Sequence, residues 1–376
     1  MTELNQAIQL RLSTAKSSVK KFSAFVENTS PDGRLRNQFV YYGAHTGRWS
    51  GRGVQPQNLT RTETDQPTLR ALLAGTPADS LDKLSTCLRP CIRALRGKKL
   101  VVADLNAIEV RVLMWLAGCE EGLRVFREGK CPYKDFATDF YRIPYESVTK
   151  DQRNTCKPPV LGCGYGLGGG QKREMQNGQT VKTGLWKYAE NLGVVLDRSG
   201  AHEMVSLYRS KYPEVVYYWT YLEDAFIAAY KTRKRQQVGA IFFTATPEAV
   251  KIELPSGRSI HYLNPHAWKG VEGVKISFDG LRNGGWGRQT TYGGRLCENV
   301  VQAVARDVLA EGMLRVERDH ALPIVGHVHD ELVVEAEKEW VGVVQDLQGA
   351  MSDDISWAPG LPLAAEGYES EFYMKG

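Results

Sequence analysis

Leu100-Val101-Val102-Ala103-Asp104-Leu105-Asn106-Ala107-Ile108-Glu109-Val110-Arg111 is an apolar run that ends on an acid and passes at once into a helical pattern. Far downstream, Ile324-Val325-Gly326-His327-Val328-His329-Asp330-Glu331-Leu332-Val333-Val334-Glu335 again places an acid where an apolar run stops. An Asp at a strand end is held by the ladder behind it, which is the rigidity that a metal-bound oxygen requires. Taken singly, either Asp is ordinarily a turn residue. Together, each with a second acid close by (Glu109, Glu331), they are the paired carboxylates that suit two-metal phosphoryl transfer.

The chain has 376 residues, 42% of them apolar and 24% charged, the composition of a soluble globular protein with room for two or three lobes. It lacks an uninterrupted run of about 18 apolar residues, which excludes an ordinary membrane-spanning helix. The start, Met1-Thr2-Glu3-Leu4-Asn5-Gln6, has no signal-peptide character. Cysteines 87, 91, 119, 131, 156, 163 and 297 form no CxxC pair, so reduced thiols in a cytosolic protein are expected. A net charge of +5 permits nucleic-acid binding without arguing for it.

Working outward, Leu4, Ile8, Leu12, Val19, Phe22 and Val26 predict one helix over residues 4–27. Residues 34–42 read as a strand, residues 43–61 as an ordered polar loop, and residues 84–95 as a helix. After Asp104, the residues Ile108, Val112, Leu113, Trp115 and Leu116 form the apolar face of a helix that Gly118 stops. Residues 120–236 are expected to be mainly helical, closing on the basic cluster Lys231, Arg233, Lys234 and Arg235. Two runs flanking Pro255-Ser256-Gly257 predict a hairpin, and residues 265–294 are Gly-rich with little periodicity. Residues 299–314 give an amphipathic helix, and the runs around His329-Asp330 a second hairpin. The class is α+β: a small sheet bearing the acids, interrupted by a long helical insertion.

On a helix, Arg153, Lys157, Leu161 and Tyr165 fall at steps of four and share one stripe. The two cations can grip a triphosphate, with apolar and aromatic groups to stack on a base. A solvated basic turn followed by a core-facing Tyr fits the same residues.

In this order, the three segments resemble motifs A, B and C of family A DNA polymerases, the DNA polymerase I type, and especially their phage branch. Motif A is similar to Asp104 through Arg111, motif B to Arg153, Lys157, Tyr165 and Gly166, and motif C to His329-Asp330-Glu331. Thr46-Gly47-Arg48-Trp49-Ser50-Gly51, followed by Gln55-Pro56-Gln57-Asn58-Leu59, resembles the TGR segment beside the primer terminus. Asn299-Val300-Val301-Gln302 resembles the segment whose Gln contacts the minor groove. The resemblance spans roughly residues 40–335.

The resemblance implies a right-hand polymerase fold. Its palm would be residues 28–118 and 236–376, built on a small antiparallel sheet. Residues 119–235 would be mostly helical fingers, and residues 1–27 a reduced thumb. It implies that Asp104, Asp330 and the Leu105 carbonyl bind two Mg²⁺ ions, for which Mn²⁺ can substitute, and that Glu331 tunes the site. Arg153 and Lys157 would hold the phosphates of a deoxynucleoside triphosphate, with Lys157 also assisting the chemistry. Leu161 and Tyr165 would abut the nucleotide. Glu109 would be the steric gate against a 2′-hydroxyl, bonded to the motif B Tyr. Arg48, Asn58, Gln302 and His329 would contact a DNA primer–template duplex. No membrane partner is implied, and the setting would be the cytoplasm, that of a bacterial host if the gene is a phage's.

Several departures stand out. Leu161 replaces the usual motif B aromatic residue, Asn106 the usual Ser of motif A, and His327 the common Gln before motif C. Pro158-Pro159 inside motif B predicts a kink or a restarted helix near Lys157, aiming backbone N–H groups at the triphosphate. With only the 4–27 helix before the TGR segment, a truncated thumb, a weak grip on duplex and no proofreading site are expected. A second polypeptide supplying thumb, exonuclease or processivity remains open, as do a small polymerase of low processivity and a fragment. The rivals are an enzyme using ribonucleotides or an RNA template, against whose insertion step Glu109 speaks, and a non-catalytic DNA-binding replication accessory protein retaining the fold.

Overall fold

The computed structural model describes residues 17–59, 63–78, 80–175, 180–270, 273–282 and 284–374, in two compact units. Elements are numbered along the whole chain.

The first unit takes in Met1–Asn106, Val308–Asp353 and Ala364–Gly376. Helix α1 (Ser17–Asn28) is the described end of the helix expected over 4–27; residues 4–16 of that expectation lie outside the described residues. The strand expected over 34–42 shrinks to β1 (Phe39–Val40), paired with β2 (Ser50–Gly51). Asn37 and Tyr42, at φ 58° and 55°, take left-handed backbone on either side and end the extension. After α2 (Gln66–Leu73), the helix expected over 84–95 is instead α3 (Leu81–Thr86) followed by a single 3₁₀ turn, Arg89–Cys91. The helix is capped at Cys87, and Pro90 opens the 3₁₀ turn, a first-turn position where its missing N–H costs nothing.

The sheet of this unit runs β12-β13-β3-β14, all antiparallel, from β3 (Lys98–Leu105), β12 (Ile324–Val328), β13 (Glu331–Glu337) and β14 (Ala365–Ser370). The central strand β3 is buried on both faces from Lys99 to Ala103, which explains its unbroken apolar run. Leu100, Val102, Val328, Val333, Ala94 and Tyr373 form the core on one face. Helix α12 (Val343–Ser352) packs against β3 and β14, where a Cβ on Gly367 would come within 3.2 Å of Val344.

The second unit takes in Ala107–Asp307 and Asp354–Leu363. Its helices are α4 (Ile108–Ala117), α5 (Glu120–Arg127), α6 (Pro132–Tyr141), α7 (Lys150–Gly162), α8 (Gly184–Asn191), α9 (Arg198–Lys211) and α10 (Pro213–Thr232). Helix α11 (Gly293–Asp319) begins in this unit and ends in the first. The Gly118 stop is a left-handed cap at φ 64°. A short hairpin joins β4 (Lys172–Glu174) to β5 (Thr180–Lys182).

A six-stranded antiparallel sheet, in the order β11-β10-β9-β8-β7-β6, follows from β6 (Gln236–Val238), β7 (Ile241–Ala245), β8 (Ala249–Glu253), β9 (Ser259–Gly270), β10 (Gly273–Arg282) and β11 (Gly285–Thr291). The expected hairpin around Pro255-Ser256-Gly257 is β8–β9. Residues 265–294, despite their weak periodicity, build most of the three longest strands of this sheet. His266, Trp268 and Lys269 all stand exposed, and glycines interrupt the rest, so the apolar alternation that marks a strand is missing. Among the described residues, no helix is long and apolar enough to cross a membrane.

Candidate active site

In the first unit, the sheet register assembles the acids. Asp104, near the end of β3, lies opposite Glu331 on β13 and Glu366 on β14. Directly opposed residues have Cβ atoms roughly 4.5–5.5 Å apart, and like charges in that relation repel. The Leu105 amide donates to the Asp330 carbonyl at 3.1 Å, so the two aspartates come to one end of one sheet. Asp330 sits in the two-residue turn between β12 and β13, whose other member, His329, is exposed and left-handed at φ 58°. A non-Gly residue there is uncommon, and the hairpin's tightness requires it.

Glu331 accepts a hydrogen bond from the Tyr373 hydroxyl, and the Arg89 guanidinium lies 4.9 Å from the Tyr373 ring centroid. Burial, and after it the Glu331 charge, hold the Tyr373 hydroxyl far above its ordinary pKa. Burial, with the charges of Glu331 and Asp104, pushes Tyr368 up to about 12. This end of the sheet is therefore electronegative and built of hard oxygen donors, which fits a divalent cation such as Mg²⁺. Two aspartates and a carbonyl supply the donors expected; no group of three or more His, Cys, Asp or Glu side chains poised for a metal occurs among the described residues.

The TGR segment is fixed in the same unit through aromatic contacts. His327 is buried, stacked on Phe39 at 4.4 Å and met edge-on by Trp49 at 4.7 Å. The stack ties the Arg48 turn to the strand leading into His329-Asp330. A Cβ on Gly43 would fall 2.0 Å from Ser50 Oγ, so the turn closes only with glycine there. Arg48 is half-buried, and Asn58 is exposed and donates to Gln55 at 3.0 Å.

In the second unit, α4 presents Glu109 in its first turn, and the Tyr165 hydroxyl donates to Glu109 at 3.1 Å. Burial, then the Glu109 charge, raise Tyr165 well above its ordinary pKa, so it stays a donor. Tyr165 ends a 3₁₀ turn following α7. A Cβ on Gly294 would lie 2.3 Å from the Tyr165 carbonyl, and Trp219 donates to the Gly164 carbonyl at 2.7 Å.

Helix α7 is unbroken from Lys150 to Gly162. The expected restart near Lys157 is therefore wrong. Pro158 and Pro159 leave two rungs without donors, but both are buried with Cys156 and Val160, and packing overrides local preference. The helix N-terminus is instead at Thr149, in a capping box with Gln152. Arg153 and Lys157 lie 5.3 and 5.8 Å from the ring centroid of Tyr133. Leu161 is half-buried on the same stripe, and Gln302 on α11 is half-buried and donates to Glu298 at 3.4 Å.

The structure thus joins Asp104, Leu105, Asp330 and Glu331 in one unit, and Glu109 with Tyr165 in the other. Sequence reasoning passed over Tyr133, Glu366 and Tyr373. Tyr133 lies in a stretch read only as helical, and residues 365–370 are too polar to announce a strand.

The family model for DNA polymerase family A matches residues 4–240. The DNA polymerase of Bacillus phage SP02 is 35% identical over 99% of this chain and 57% of its own length. DNA polymerase I of Pseudomonas aeruginosa is 24% identical, covering 71% of this chain and 24% of its own length. Among solved structures, the POL domain of Pol1 from M. smegmatis, in complex with DNA primer-template and dNTP, matches with a TM-score of 0.62 at 19% identity, covering 95% of this chain and 51% of that one. The chain spans little more than half the length of the phage relative and less of the bacterial one. The structural likeness confirms the mixed α+β fold of a polymerase domain, in a family whose members generally use divalent metal ions. The chain belongs to DNA polymerase family A.

Proposed function

We propose that this chain is a template-directed DNA polymerase that adds deoxynucleotides to a primer 3′-hydroxyl. The observation that carries the reading is the meeting of Asp104 and Asp330 at one end of one sheet, through the Leu105–Asp330 contact, in a chain of this family.

Asp104, Asp330 and the Leu105 carbonyl would hold two Mg²⁺ ions, or Mn²⁺ in their place. Bound there, the ions would acidify the primer hydroxyl and neutralise the departing pyrophosphate. Tyr373 keeps one Glu331 oxygen engaged, so Glu331 tunes the site's charge. Arg153 and Lys157 bind the triphosphate, Lys157 being the more exposed of the two. Leu161 and Tyr165 border the nucleotide. Glu109, braced by Tyr165, closes the space a 2′-hydroxyl would occupy. Arg48, Asn58, Gln302 and His329 contact the primer–template; minor-groove acceptors are alike for all correct pairs, so such contacts test pair shape. The reaction would run in the cytoplasm of a bacterial host, without proofreading by this chain.

Primer extension by the purified chain tests the proposal, with deoxy- and ribonucleotides supplied on DNA and RNA templates. Metal-dependent incorporation of deoxynucleotides on DNA is expected. A chain that binds DNA but never extends it would be an accessory protein, and excision of a mismatched 3′ end would contradict the absence of editing.

A further inference from the structure

The basic cluster Lys231, Arg233, Lys234 and Arg235, all exposed at the end of α10, has no part in the site described above. It borders the outer face of the six-stranded sheet. Arg235 reaches over that face: its guanidinium lies 3.8 Å from the Phe242 ring centroid on β7 and 3.5 Å from Glu253 on β8. The inner face is filled by core, where Phe226 of α10 meets Tyr262 at 5.3 Å and Tyr262 meets Phe278 at 4.7 Å. Strand alternation then turns Lys251, His261, Leu281 and Trp286 outward.

The register lines these four up across the strands. Lys251 lies opposite His261 and Leu281 opposite Trp286, while the pairing of Leu263 with Asp279 keeps β9 and β10 in step between them. At about 4.8 Å per strand, the row runs roughly 20 Å from β7 to β11. Leu281 and Trp286 are 68% and 63% exposed, an apolar pair left to water. A second ring on this face, Trp268, is exposed and stacked on His266 at 5.6 Å. Arg288 spends only Nη1 on the Asn264 carbonyl and Asp279, which leaves Nε and Nη2 for a further acceptor.

Among the described residues, two acids stand at outward positions of these strands, Glu253 and Asp279, and each is already paired with an arginine. Lys251, Lys275 and Arg288 join the four cations of the cluster, seven against two. Flat rings and cations on one open face suit a single strand, whose bases offer π-faces between phosphates; a duplex hides those faces.

We propose that the outer face of this sheet, with the basic cluster at its side, binds single-stranded nucleic acid. Trp286 and Trp268 stack on bases, while Lys231, Lys234, Lys251 and Arg288 hold phosphates. The site is separate from the residues assigned above to primer, template and nucleotide, and it does not rest on the polymerase reading.

The test is fluorescence anisotropy with a labelled oligo(dT) of about 12 nucleotides. It is titrated onto the chain alone and onto the chain saturated with an unlabelled primer–template whose overhang is a single nucleotide. Binding is expected in both cases. Trp286→Ala should raise Kd roughly fivefold to a hundredfold and leave the salt dependence unchanged. Lys231→Gln combined with Lys234→Gln should flatten the slope of log affinity against log salt by about 1.4, two phosphate contacts at about 0.7 each. Extension at saturating primer–template should be unchanged in both variants. Trp340→Ala, at an exposed tryptophan of the first unit, should bind normally. Thermal melting checks folding, and Trp268→Ala replaces Trp286→Ala if that one unfolds.

The proposal is overturned if either variant binds oligo(dT) as the unmodified chain does, if duplex of equal length competes as well as single strand, or if primer–template displaces the oligonucleotide. A dimer that Trp286→Ala dissolves, with oligonucleotide affinity intact, would identify a second copy as the occupant and overturn it too. A chain that binds oligo(dT) here and extends no primer overturns the proposed function alone.

Discussion

Tyr165→Phe removes one oxygen and with it the donor to Glu109 at 3.1 Å. A hydrogen bond to a charged group is worth about 1.5–3 kcal/mol when buried, and Glu109 is half-buried, so about 1–2 kcal/mol is the reasonable share here. Freeing the Glu109 side chain also restores rotamer entropy of comparable size, so a loosened gate is favoured on both counts. At about 1.36 kcal/mol per tenfold, discrimination between a deoxy- and a ribonucleotide should fall roughly fivefold to thirtyfold. The assay is primer extension with dCTP and CTP, comparing kcat/KM ratios for the unmodified chain, Tyr165→Phe, Glu109→Ala and the double variant. The double variant should match Glu109→Ala, because the hydroxyl acts only through that carboxylate. Since Tyr165 is held well above its ordinary pKa by burial and by Glu109, the ratio should stay flat to about pH 9.5. An unchanged ratio in Tyr165→Phe, or a Glu109→Ala variant that still rejects CTP, would refute the reasoning.

Asp307 is 5% exposed and accepts from Arg258 Nε at 2.7 Å, Ser256 at 2.5 Å and Arg306 at 3.2 Å. Asp307→Ala should therefore cost about 3–5 kcal/mol of stability, read from the denaturant midpoint; a loss below about 1 kcal/mol would contradict it. Burial holds the thiols of Cys119, Cys156 and Cys163 up at about 12 and raises Tyr208, Tyr212 and Tyr218 well above their usual value. The folded state then keeps protons that the unfolded chain releases. Their stabilisation is whole below about pH 8.5 and lost as pH climbs towards 12. Melting midpoints should fall above about pH 9, and a rise there would reverse the sign. Of seven cysteines, Cys91 is exposed and Cys131 half-buried, the other five being buried. Ellman's reagent should find at most two thiols in the native protein and seven after denaturation.

The motif residues were legible because each couples local pattern to chemistry. The run into Asp104 reads as a strand from its Val-rich core, and the His329-Asp330 turn from alternation on both sides. Their adjacency was suggested by two strand-end acids and made specific by the resemblance, since the register of β3 with β13 depends on contacts between residues far apart in the chain. Pro158 and Pro159 misled because proline's local penalty is outweighed where both rings are buried. Strands β9–β11 were hidden by exposed aromatics and glycines, which leave no periodic contrast. Tyr133, Glu366 and Tyr373 were silent for a different reason: their importance lies in what they face, and that is set by packing.

If Asp104 and Asp330 form the proposed metal-binding pair, single-nucleotide extension of a primed DNA template by Asp330→Asn must collapse. Metal-borne charge stabilisation worth several kcal/mol, at about 1.36 kcal/mol per tenfold, predicts a loss of roughly a hundredfold to ten-thousandfold in rate, with melting and primer–template binding preserved. Extension by Asp330→Asn at the unmodified rate, or extension by the unmodified chain in the absence of divalent cations, would rule out a metal pair at these aspartates.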